Sequence, residues 1–178
     1  MKPCKVCHQE FQPFTTTVTV CSIECAINLA AEREDKRYKD KTNKMRREHR
    51  LQDRGYQLKK AQESFNAYIR ERDKDLPCIS CGHSHNKLTA GHYKTVGAGG
   101  NALRFNEDNC HGQCWWNCNR NKSGNIIEYR IELIRRIGKK RVEVLEGAHG
   151  PLKLSIDQII AIRVAYKLKL KTLKLEAA

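Results

Sequence analysis

Between residues 78 and 125 the chain reads CISCGHSHNKLTAGHYKTVGAGGNALRFNEDNCHGQCWWNCNRNKSGN, a stretch whose residue types and spacing could do chemistry. Two cysteine pairs bracket it, Cys78-x2-Cys81 and Cys114-x3-Cys118. Thiolates two or three residues apart bind one tetrahedral ion from a tight turn, and a second such turn completes a four-sulfur shell, so the pairs predict one structural zinc. Between and just beyond them lie His92, Asn109, His111 and Asn119, side chains suited to holding a divalent cation and moving a proton. The stretch reads as a zinc-pinned hairpin and helix that carries a metal-dependent phosphodiesterase site.

The elements that must position these groups follow from the same residues. Residues 87–96 and 103–106 are expected as the arms of a hairpin, separated by the flexible Gly97-Ala98-Gly99-Gly100. Cys114 and Cys118 are expected at the start of a helix that continues through Ile126 to Ile137, so that four sulfurs clamp hairpin to helix. Cys110, Cys114 and Cys118 are spaced at four and could share one helical face; Cys114 and Cys118 are taken as ligands and Cys110 as a free thiol. Trp115 and Trp116 are assigned to the core of this module, with stacking on unpaired bases as the alternative. His83 and His85 read as exposed turn residues.

Upstream, Cys4-x2-Cys7 and Cys21-x3-Cys25 repeat the two-turn pattern and predict a second structural zinc, with His8 an alternative ligand and a short strand over residues 15–20, TTTVTV. This knuckle has few apolar residues and is expected to need its ion to fold. Twelve Lys or Arg against five acids fall between Arg33 and Lys60, without a continuous apolar stripe, which predicts a solvated helix or arm. Residues 58–73 place Ala61, Phe65, Tyr68, Ile69 and Arg72 on one side at helical spacing. Residues 123–137 form a broad apolar helix stopped by Gly138, with Arg130 an unexplained interruption. Residues 139–146 read as a short helix, and Ser155 with Gln158 as a capping box opening a last helix. The fold class is therefore α+β and mostly helical, in four parts: a knuckle over 1–25, a basic linker over 26–57, the central module over 58–138 and a helical region over 139–178.

Thirty-four Lys and Arg against twenty Asp and Glu give a formal charge of +14, which favours a polyanionic partner. No segment reaches the 18 or so apolar residues needed to span a bilayer, and MKPCKVCHQE lacks the apolar run of a secretory signal. The expected location is cytoplasmic, where closely paired cysteines serve zinc in preference to disulfides.

His92, Asn109 and the run Cys118-Asn119-Arg120-Asn121-Lys122 resemble the three motifs of the HNH, or His-Me finger, nucleases that carry a structural four-cysteine zinc. More closely, RERDKDLPCISCG, AGHY, LRFNEDN, KSGN and YRIELIRRIG resemble the NinG (Rap) recombination proteins of lambdoid bacteriophages, most densely from residue 65 to 138. The resemblance implies a ββα module and a structure-specific endonuclease acting on branched DNA such as Holliday junctions and D-loops during infection of a bacterial host. Other recombination proteins of phage or host are implied as partners, and a two-cut reaction suits a homodimer.

Carried onto this sequence by motif position, His92 is the general base, since an imidazole of ordinary pKa about 6.5 accepts a proton at neutral pH. Asn119 is a neutral oxygen ligand to catalytic Mg²⁺ or Mn²⁺, and Asn109 holds the loop or orients His92. Lys94, Arg120 and Lys122 are expected on DNA phosphates. Many HNH enzymes place an acidic or histidine ligand directly before the base, where this chain has Gly91, so the second protein ligand is left between His111 and Asp108. Two other readings compete. One is a non-catalytic zinc protein that binds DNA or RNA and assists recombination; the other is a sequence-specific restriction-type HNH enzyme.

Overall fold

The computed structural model describes residues 1–84, 87–95 and 100–176, and the chain divides into two units, Met1–Gln52 and Asp53–Ala178. The expected glycine-rich connection at 97–99 and His85 lie outside the described residues. Architecture is mostly helical with two small sheets, as the α+β reading required. No described helix is long and apolar enough to cross a membrane.

The first unit holds β1 (Lys2–Pro3) antiparallel to β2 (Glu10–Phe11), then α1 (Ile23–Gln52). Ser22 opens α1 by accepting the Cys25 N–H on its hydroxyl, 3.2 Å away, so Cys25 sits in the first helical turn. At about 1.5 Å per residue, α1 is roughly 45 Å long. Cys25 is its buried residue, so the basic run is a solvated helix as its composition required. The expected strand at 15–20 does not form. Val18 N–H instead bonds Thr15 O at 3.2 Å and the Thr15 and Thr17 hydroxyls bond each other at 2.8 Å, a local turn in which side-chain hydroxyls replace a strand partner.

In the second unit, Asp53 caps α2 (Arg54–Arg72) by accepting the Tyr56 N–H. Gln57, Ala61, Phe65 and Ile69, at a spacing of four, form its buried face. That face packs against α5 (Ile156–Glu176): the Phe65 and Tyr166 rings meet edge-on at 4.8 Å, and Tyr166 Oη donates to Phe105 O. Ser155 and Gln158 exchange the two bonds of the capping box, which settles the lysine-rich tail as helix.

The hairpin pairs β3 (Leu88–His92) antiparallel with β4 (Cys110–Cys114), in the register Leu88 to Cys114 and His92 to Cys110. The second arm is therefore 110–114, and the expected arm at 103–106 is a turn. Asn106 causes this difference, because its carboxamide oxygen captures the Asp108 and Asn109 amides and starts a 3₁₀ turn. After β4, residues Trp115–Asn121 form one wide helical turn, and α3 begins only at Ile126. Ser123, Gly124 and Asn125 all have positive φ, at 47°, 93° and 46°, which breaks the single helix expected from Cys114 onward. Gly124 N–H closes on Cys118 O at 2.8 Å, a six-residue C-cap.

α3 (Ile126–Ile137) and α4 (Lys139–Glu146) join directly at Gly138, whose φ of 86° ends the first helix as predicted. Tyr129, Leu133, Val142, Leu145, Ile79, Tyr93 and Leu103 form the main core. Arg130, which had no role in the sequence, grips Glu146 with two bonds of 2.6 and 3.1 Å, and Tyr93 Oη donates to the same carboxylate at 2.6 Å. These donors, Arg130 first, hold the Glu146 carboxyl at about 2 against an ordinary 4.5. A depressed carboxylate stabilises the fold above its unfolded value and loses that contribution as pH falls through the folded one. Acid titration by circular dichroism should thus show the wild type losing stability from about pH 4.5 toward 2; Glu146→Gln should lack that part of the loss.

Candidate functional site

Two groups of four cysteines converge, Cys4, Cys7, Cys21 and Cys25 in the first unit and Cys78, Cys81, Cys114 and Cys118 in the second, each with its sulfurs within 4.8 Å of one another. A zinc tetrahedron with bonds of about 2.3 Å needs sulfurs roughly 3.8 Å apart. Cys7 and Cys21 are 3.4 Å apart, Cys21 and Cys25 3.7 Å, and Cys81 and Cys114 4.0 Å, all far from the covalent S–S length. Backbone amides also point at the sulfurs: Cys114 N–H at Cys78 Sγ and Cys118 N–H at Cys114 Sγ, both 3.3 Å. Such bonds stabilise thiolates. Both donor sets therefore suit zinc, and both groupings are those the spacing predicted.

The second cluster ties the Cys78 to Cys81 turn to the end of β4 and to the wide turn that carries Asn119. At the other end of the hairpin, His92 closes β3 opposite Cys110. Its ring stacks on Phe65 at 6.0 Å, and Nε2 lies 3.1 Å from Arg104 O. A carbonyl only accepts, so Nε2 carries the proton and Nδ1 keeps its lone pair. Burial pushes the His92 pKa below its ordinary value, which leaves the ring neutral at pH 7 with Nδ1 as its basic atom. Cys110, left free in the sequence reading, lies 3.7 Å from that nitrogen and is fully buried.

Asn109 is buried and latches the hairpin shut. Its oxygen accepts the Lys94 N–H at 2.8 Å, and its Nδ2 donates to Lys94 O and Leu103 O at 3.0 and 3.2 Å. It holds the loop, one of its two expected roles, and among the described residues it makes no hydrogen bond to the His92 ring.

Asn119 is partly exposed and donates from Nδ2 to Gln113 Oε1 at 2.9 Å. Gln113 spends both its amide protons on Ser80 Oγ at 2.6 Å and Gly124 O at 2.5 Å, so its oxygen must face Asn119. A Cβ on Gly91 would stand 2.4 Å from that same oxygen: Gln113 fills the space that a side chain at position 91 would need. Gln113 was not singled out from the sequence, although it lies two residues from His111, the cross-strand partner of Gly91, and therefore on the same face.

Alternation along the strands puts Gly91, His111 and Gln113 on one face of the hairpin and His92, Ala90 and Cys110 on the other. Asn119 joins the Gly91 face through Gln113, so the structure does not bring His92 and Asn119 into contact. His111 is buried with Nδ1 2.8 Å from Arg72 Nη2. The guanidinium only donates, so Nδ1 is the acceptor and the neutral ring carries its proton on Nε2. Burial drives its pKa to about 3, so the ring is uncharged at neutral pH. In this tautomer neither nitrogen offers a lone pair to a cation, and the fit of His111 as a Mg²⁺ ligand fails. Asp108, the alternative, is engaged by Arg141. Asn119 fits better, since among the described residues its carboxamide oxygen accepts no hydrogen bond, and Gln113 Oε1 is the adjacent neutral oxygen.

Arg72 and Asp73 were also missed as positioning residues. Arg72 donates to Cys110 O at 2.9 Å and Glu107 O at 3.2 Å, while Asp73 accepts the Gly112 N–H at 2.7 Å, which staples the end of α2 along β4. Burial opposes the Asp73 charge, yet the Arg72 bonds and charge hold its pKa below the ordinary value. Of the expected phosphate contacts, Arg120 and Lys122 are exposed and Lys94 is partly so. Trp115 and Trp116, expected in the core, are instead 55% and 64% exposed.

A chain with two four-cysteine clusters that could hold zinc, a long basic helix and a hairpin latched by a buried asparagine is a small basic protein of cysteine-knuckle type. The family model described as "Bacteriophage Lambda NinG protein" matches residues 1–176, and the chain belongs to the NinG family. It is 42% identical to Protein ninG of Escherichia phage lambda over 94% of this chain and 90% of that protein. It is 40% identical to Protein ninG of Escherichia phage 933W, over 97% and 94% of the two chains, and 40% identical to that of Salmonella phage P22, over 94% and 90%. No solved structure matches.

Proposed function

We propose that the protein is a structure-specific endonuclease that hydrolyses phosphodiester bonds in branched DNA during phage recombination, with His92 as base and a Mg²⁺ or Mn²⁺ ion held beside Asn119. The observation that carries this reading is the state of His92: a neutral, partly buried imidazole at the end of the hairpin away from the second cysteine cluster, its tautomer fixed by a backbone carbonyl. A satisfied core histidine would gain nothing from a rigid mount whose far end is pinned by four thiolates.

Phosphodiester hydrolysis proceeds in line, with the attacking water and the leaving oxygen on opposite sides of phosphorus. His92 would take the proton from water at Nδ1 once the Cys110 thiol, 3.7 Å away, releases that lone pair, while Nε2 donates to Arg104 O, which steadies the imidazolium that forms. The bound divalent ion would supply charge neutralisation at the leaving oxygen. Asn119 Oδ1 would be its protein ligand, a neutral oxygen that a hard cation accepts while keeping several waters, with Gln113 Oε1 holding the Asn119 amide in place. Gly91 leaves the space that Gln113 fills. Arg120 and Lys122 neutralise neighbouring phosphates, and the charge of +14 draws DNA to the surface.

Labelled four-way junctions, D-loops, flaps and linear duplex, incubated with zinc-loaded protein and Mg²⁺, separate this reading from its rivals. Cuts confined to branched substrates are expected. Equal cutting of linear duplex at defined sequences points to a restriction-type enzyme, and binding without cutting to a non-catalytic zinc protein.

A further inference from the structure

The chain has only two tryptophans, and both lie in the turn between Cys114 and Cys118, exposed to solvent. Small basic domains rarely leave two adjacent indoles in water without a ligand for them. The turn directs them outward while its sulfurs, Cys114 and Cys118, are buried. Trp115 forms a wall of a groove of about 460 Å³ with Arg70, Lys87, Leu88 and Thr89, within the range of about 300–1,000 Å³ typical of small-ligand sites. Arg70 and Lys87 are exposed cations on its rim. Beside it, the Arg120 guanidinium stands 5.1 Å over the Trp116 ring, a contact that leaves its N–H edge free for phosphate.

We propose that this groove is a binding subsite for an unpaired nucleotide of the DNA substrate. The base lies against the indole of Trp115, its phosphate meets Arg70 and Lys87, and the Trp116–Arg120 pair takes the next phosphate along the strand. A flat apolar wall with cations on its rim suits a single strand, whose bases offer a free π-face; in duplex those faces are stacked and unavailable. The subsite would give the proposed nuclease its preference for branch points, where strands are locally unpaired, and so rests on the nucleic-acid part of that reading but not on cleavage.

Because both tryptophans belong to the site, fluorescence excited selectively at tryptophan, beyond the absorption of the tyrosines, reports this site alone. The test is a titration of zinc-loaded full-length protein, without added Mg²⁺ so that no cutting occurs, with a short single-stranded oligonucleotide and with blunt duplex of equal length. Strong quenching by the single strand and weak quenching by duplex is expected. Trp116→Phe should keep most of the quenching, and Trp115→Ala should weaken single-strand affinity by about 5- to 100-fold. Lys87→Glu should weaken it too and flatten its salt dependence. Unchanged zinc content and circular dichroism show that the variants fold. Equal quenching by the two DNAs, or unaltered single-strand affinity in Trp115→Ala, overturns the subsite even if the protein cuts junctions. Failure to cut junctions, with quenching intact, overturns the nuclease reading alone.

Discussion

Replacing Cys78 with alanine is expected to reduce zinc from two ions per chain to one and to unfold the hairpin region of the second unit. The sulfurs of Cys78, Cys81, Cys114 and Cys118 join three segments, and the side chains packed around them are mainly the cysteines themselves and Leu88. Structural zinc binds such sets with about 10–16 kcal/mol at neutral pH, and in small metallo-domains this binding energy is folding energy. Three thiolates left without a fourth lose much of it. Metal analysis should read about one zinc per chain, and the β3–β4 amides should exchange hydrogen within the dead time, while α1 keeps its helical signal. Cys110→Ser provides the contrast: this buried thiol lies outside both clusters, so zinc content should stay at two.

His92→Gln should lower the rate of junction cleavage by about 10²- to 10⁴-fold, the usual contribution of a positioned general base, while leaving junction affinity close to wild type. Glutamine retains a polar side chain of similar reach but accepts no proton at neutral pH. The pH profile sharpens this expectation. Burial lowers the His92 pKa, so the base form persists into mildly acid solution and kcat/KM should fall only below the ordinary imidazole value of about 6.5. A titration midpoint above 7 would assign the proton transfer to another group. Asn119→Ala should leave that profile unchanged and raise the Mg²⁺ concentration needed for half-maximal rate.

Much of the fold was legible because its signals are local. Ser155 and Gln158 announced α5, Gly138 the end of α3, and the cysteine spacings both clusters, each through chemistry completed within a few residues. The second hairpin arm was not legible from periodicity, because Asn106 diverts the chain into a turn and the true arm, Cys110 to Cys114, lacks the β-branched residues that mark strands. Likewise the helix after Cys118 is broken by three residues of positive φ, two of them not glycine, which a helical pattern does not reveal.

At the site, residue types pointed to His92, Asn109 and Asn119, and the structure gives Asn109 its latch and His92 its fixed tautomer. What could not be read was facing. Only the register shows that His92 and Asn119 occupy opposite faces of the hairpin, that Gln113 occupies the space above Gly91, and that Arg72 takes the lone pair His111 would have offered a metal. The tryptophans illustrate the same limit, since sequence favours burying indoles and only the cluster's geometry turns them out.

The most direct measurement is single-turnover incubation of a labelled four-way junction with the zinc-loaded protein, in millimolar Mg²⁺ and in its absence. Mg²⁺-dependent strand cuts near the branch are expected in wild type, with loss of cutting in His92→Gln while the junction stays bound. Cutting that is unaffected by the His92 substitution, or an intact, junction-binding wild type that never cuts, would contradict the proposed function.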